Sequence, residues 1–85
     1  LYQAVKSDLV EFMNMCDDVQ MIDGYDPNMK EKHAILWLDF SPAATLNKEE
    51  TAALTAIMNK ADGTVISAVD GHVRISFDIN DIWDN

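Results

Sequence analysis

Apolar residues recur at steps of three and four through the first segment, at Tyr2, Val5, Leu9, Phe12, Met13 and Cys16, with Lys6, Asp8, Glu11 and Asn14 on the other side. That spacing gathers the apolar groups on one side of a 3.6-residue turn and predicts an amphipathic helix over residues 1 to 17. Asp17 and Asp18 follow, and negative charge is unfavourable at a helix C-terminus, so they are expected to lie just beyond it and open a turn. Residues 19 to 23 read as a short strand, ended by Gly24, Asp26, Pro27 and Asn28, which supply turn chemistry. Residues 33 to 40 then alternate. Ala34, Leu36, Leu38 and Phe40 share one face, His33, Ile35, Trp37 and Asp39 the other, and both faces carry large apolar groups.

Ser41-Pro42 stops that strand, and Asn47 with Glu50 three residues later forms a capping-box pattern that starts a second helix. Its stripe is Ala53, Leu54, Ile57, Met58 and Ala61, and Gly63 suits a left-handed C-terminal cap. The strongest local signal comes last. Asp70-Gly71 stands between two alternating apolar runs and calls for a two-residue type I′ hairpin turn. This fixes a register in which Val69 faces His72, Ser67 faces Arg74, Ile66 faces Ile75 and Thr64 faces Phe77. The tail, Asn80 to Asn85, is expected to add a helical turn holding Ile82 and Trp83.

The order α-β-β-α-β-β, with a short C-terminal turn, predicts a two-layer α+β fold, with two helices covering one face of a four-stranded, mainly antiparallel sheet. Eighty-five residues suit one domain, residues 1–85, and a hydrophobic fraction of 48% with 25% charged is ordinary for a chain that folds by itself. Strand order is not legible from this pattern.

Charge narrows the function. Fifteen acidic residues against six basic give −9. Direct binding to nucleic acid or anionic lipid requires Lys/Arg neutralisation and is not expected, whereas a basic protein surface is an electrostatically natural partner. No stretch reaches the roughly 18 apolar residues of a membrane span. The single Cys16 cannot form an intrachain disulfide, which fits a cytoplasmic setting better than a secreted one.

Catalytic and cofactor chemistry finds little support. Cys16, His33 and His72 stand apart without metal-ligand spacing, so neither a metal nor another cofactor is expected. A calcium-loop alignment through Gly63 puts Met58, Lys60 and Val69 where ligands belong. The three glycines, 24, 63 and 71, are isolated, which excludes a glycine-rich phosphate loop, and no motif joins a nucleophile to a base. Cys16 reads as a helix-face core residue, His72 as a solvated neighbour of the turn, and the protein as no enzyme.

What remains is a surface. If the helices cover the face bearing Leu36, Leu38, Ile66, Ile75 and Phe77, then Ile35 and Trp37 point to the opposite face with Val65 and Val69. There they are either anchors for a partner or are covered by Ile82 and Trp83. Asp39, Asp78, Asp81 and Asp84 would rim those anchors, and Trp83 lies among them. The sequence therefore predicts an acidic protein-interaction module, in its sharpest form an inhibitor of a nucleic-acid-binding enzyme acting by DNA mimicry, with Ile35 and Trp37 as anchors, Asp39, Asp78, Asp81 and Asp84 as phosphate-like charges, and Trp83 a further partner-binding residue. The alternatives are a regulatory or chaperone-like domain that forms a homodimer through the outer sheet face, and a small-ligand sensor.

Overall fold

The computed structural model describes residues 1–24 and 34–80. The elements are α1 (Tyr2–Met15), β1 (Val19–Asp23), β2 (Ala34–Phe40), α2 (Lys48–Lys60), β3 (Gly63–Val69) and β4 (His72–Ile79). The sheet is antiparallel throughout, in the order β1-β2-β4-β3. This is the expected α+β order, with the strand order now resolved: β2 and β4, far apart in sequence, pair at the centre.

One core lies between the helices and one face of the sheet. Tyr2, Val5, Leu9 and Phe12 of α1 and Leu54 and Ile57 of α2 pack against Val19, Leu36, Leu38, Phe40, Ile75, Phe77 and Ile79. These are the stripes and alternating positions that the periodicity marks. Phe12 and Phe40 meet edge to face, 6.3 Å between centroids. Cys16 sits half-buried beside the core, where burial, then a hydrogen bond with Glu50, pushes its thiol up to about 11.

The local signals act largely as read. The Asn47 side chain accepts from the Glu50 N–H at 2.8 Å and the Glu50 carboxylate from the Asn47 N–H at 2.9 Å, a complete capping box. Asp70 and Gly71 both take positive φ, 52° and 81°, as type I′ requires, and the hairpin register is the expected one. Two details differ. α1 ends at Met15, where Cys16 is already extended, and Asp18 with a left-handed φ of 63° turns the chain into β1. Gly63 is no helix cap: α2 closes through an extended Ala61, and Gly63 is the first residue of β3.

A third difference matters more for function. Ile66 lies on the helix-bearing face, yet it is 62% exposed, because α1 packs on β1 and β2 and leaves β3 uncovered. The expected tail turn, with Ile82 and Trp83, lies outside the described residues, as does His33.

Candidate functional site: the outer sheet face

Registers across the four strands lay out the face turned away from the helices. Ile22, Trp37, Ser76 and Val65 form one row across the sheet, Gln20, Asp39, Arg74 and Ser67 the next, and Ile35, Asp78 and Gly63 flank the first on its other side. Both anchors expected from the sequence, Ile35 and Trp37, stand here half-buried, and Val65, Val69 and Ile22 are exposed. The row Ile22–Trp37–Val65 is thus an apolar band interrupted by Ser76.

Trp37 is held in place by its neighbours. Gly24 continues the β1–β2 pairing, its N–H donating to the Ile35 carbonyl at 3.1 Å. A Cβ at Gly24 would overlap the six-membered ring of Trp37, so the missing side chain is what lets the indole lie across the end of β1.

The rim differs from a simple ring of free carboxylates. Asp39 is 16% exposed at its side chain, and its Oδ1 lies 3.2 Å from His72 Nδ1 and 3.7 Å from Arg74 Nε. Its charge is largely met within the face. Asp39 therefore sits between His72 and Arg74 beside the apolar band. His72 is part-exposed next to the turn, as expected, but it also has this carboxylate partner, which the one-dimensional pattern gave no means to see. Asp78 is half-buried on β4, opposite both Ile35 and Gly63, and its backbone carbonyl accepts from the Asp62 N–H at 2.9 Å. Asp81, Trp83 and Asp84 lie outside the described residues. The structure thus brings together Ile35, Trp37, Asp39 and Asp78 on one face.

Among the described residues, four exposed carboxylates lie together at one end of the sheet. The connections α1–β1, β2–α2 and β3–β4 all reverse the chain at the end of the sheet where Val19, Phe40, Val73, His72 and Val69 lie, and Ser41 N–H donating to the Asp18 carbonyl ties two of them together. That end carries Asp17, Asp18, Glu49 and Asp70, all exposed, together with Glu50. Toward the other end the cations are matched, Lys6 with Asp23 at 2.9 Å and Lys60 with Asp8. Lys6, Lys60 and Arg74 are therefore spent inside the molecule, and Lys48 is the remaining cation among the described residues.

Ile22 is the residue of this face that the sequence reading missed. The alternation Gln20, Ile22 within Val19–Asp23 carried the signal, but only the pairing Ile22 to Trp37 gives it meaning. No group of three His, Cys, Asp or Glu side chains suited to a metal ion occurs among the described residues, and Asp39 is the side-chain partner of His72 there, with no hydroxyl or thiol bonded to the ring. No protein-family model, curated protein or solved structure matches this chain.

Proposed function

We propose that this domain is a non-catalytic protein-interaction module that docks a partner on its outer sheet face. The observation that carries the reading is the band Ile22–Trp37–Val65, flanked by Ile35, on the face of the sheet opposite the helices, beside an acidic end. Exposed apolar side chains grouped on one face mark interaction sites, and a tryptophan held in a fixed orientation is a favoured anchor. The charge surplus selects a partner with a basic rim and speeds encounter with it.

The narrower form is an inhibitor that occupies the nucleic-acid site of its target. In this form the mimicking charges are those of the acidic end, Asp17, Asp18, Glu49 and Asp70, rather than Asp39. Capture of partners from cell extract with the wild type and with Trp37→Ala, at low and high salt, tests the module. The expected partner is basic, weakened by salt and lost with the variant. Displacement of that partner by duplex DNA separates mimicry from docking elsewhere on its surface: competition supports the inhibitor, and a ternary complex removes it.

A further inference from the structure

In the order β1-β2-β4-β3 each outer strand has one edge on which no other strand forms among the described residues, a template on which another strand can form. β1 is five residues long and ends on Asp23, a short, charged edge that resists pairing. β3 has neither protection. It runs for seven residues, Gly63–Val69, without proline, and is the one strand of the four that carries no charge. Both its faces are apolar and open: Val65 is 66% and Val69 53% exposed on the outer side, Ile66 62% on the helix-bearing side. Beside Ile66 a cleft of about 370 Å³, lined by Pro42, Leu46, Leu54 and Val73, separates α2 from the hairpin.

The turn sets which backbone groups are available. A two-residue loop closes on Val69 and His72 as a hydrogen-bonded pair, and bonded and non-bonded pairs alternate from there. The bonds to β4 therefore belong to Val69, Ser67, Val65 and Gly63, and the N–H and C=O of Thr64, Ile66 and Ala68 point away from the sheet. Basic side chains would find no charge on β3 to pair with. A complementary strand must be uncharged and apolar on both faces, which describes β3 itself.

We propose that a second copy of this chain adds to this edge, β3 against β3 antiparallel, about a two-fold axis at Ile66, merging two four-stranded sheets into one of eight. In this register Ile66 faces its own counterpart, and Thr64 of each copy faces Ala68 of the other, so every outward N–H and C=O of both strands finds a partner. Val65 comes to lie beside Ser67 of the other copy on the outer face. The contact is isologous and closes on itself. Asp62 and Asp70 bracket β3, so like charges meet at both ends of the strand pair, and each copy brings −9. Salt screens that repulsion and strengthens the dimer, the reverse of its effect on a basic partner. This proposal does not depend on what the outer face binds.

Sedimentation of the full chain over a range of concentration, at low and high salt, tests it. The expected species at high salt has twice the 9.5 kDa monomer mass, with dissociation at least tenfold weaker there than at low salt. Ile66→Lys and Val65→Lys, both at exposed positions, are expected to give monomers with unchanged far-UV circular dichroism, while Ile22→Lys on the opposite edge leaves the dimer intact. Hydrogen exchange of the Thr64, Ile66 and Ala68 amides is expected to slow with concentration in the wild type and not in Ile66→Lys. A wild type that stays monomeric at high concentration and high salt overturns the proposal. So does a dimer that survives both β3 variants, or one lost to Ile22→Lys alone.

Discussion

At the scale of single residues, Trp37 and the groups around it decide whether the outer face is a surface or a second core. Trp37 is half-buried, so Trp37→Ala is expected to lose about 1–2 kcal/mol, short of the 3–5 typical of a fully buried tryptophan, and to leave a folded protein. Gly24→Ala forces the indole off β1, and a loss of about 1–3 kcal/mol with a shift in tryptophan fluorescence is the expected result. Chemical denaturation reads both, and a Trp37→Ala protein that does not fold would assign this side chain to the core.

The ionisable groups of the helix-bearing side give a pH prediction. Tyr2 donates to Asp23 at 2.6 Å, and burial, then that carboxylate, holds its phenol up at about 12 against an ordinary 10.0; Cys16 is held at about 11 against 9.0. The folded state keeps both protons more tightly than the unfolded chain does, so their contribution is complete below pH 9 and is lost as pH rises through 11 and 12. A melting temperature that falls steeply across this window, and less steeply in Tyr2→Phe above pH 10, is the expected outcome.

Among the elements, those specified by local chemistry were legible in the sequence. Asn47 and Glu50 start α2, and Asn47→Ala is expected to cost about 1 kcal/mol by thermal or chemical denaturation. Asp70-Gly71 sets the hairpin, and Gly71→Ala, at φ 81° and with its new Cβ 3.3 Å from Pro42, is expected to cost about 1–2 kcal/mol. What local chemistry does not specify was misread. Gly63 follows a helix as a cap would, but the chain leaves α2 already extended at Ala61 and needs no left-handed residue. Ile66 has the alternation of a core position, yet coverage depends on where a helix packs, and α1 packs on β1 and β2. The pairing of β2 with β4 joins strands separated by a helix and another strand. It therefore left no short-range mark, and with it went unseen the meeting of Asp39, His72 and Arg74.

For the whole molecule, the distribution of charge matters more than its sum. The described cations other than Lys48 are engaged in pairs, and four exposed carboxylates, Asp17, Asp18, Glu49 and Asp70, lie where the chain reverses beside the hairpin turn. In the proposed docking a basic partner would meet an apolar sheet face edged by acid, and its affinity is expected to fall with salt while the proposed self-association through β3 rises.

The most direct test of the docking surface compares one added positive charge at two exposed places. Ile22→Lys lies in the apolar band and Gln3→Lys on the solvent side of α1, and the affinity of a captured partner is measured for each at fixed salt. A loss of tenfold or more for Ile22→Lys, with Gln3→Lys near the wild type and both proteins equally stable, is the result the outer face requires. Equal affinity for the two variants would contradict it and move the interaction to another surface.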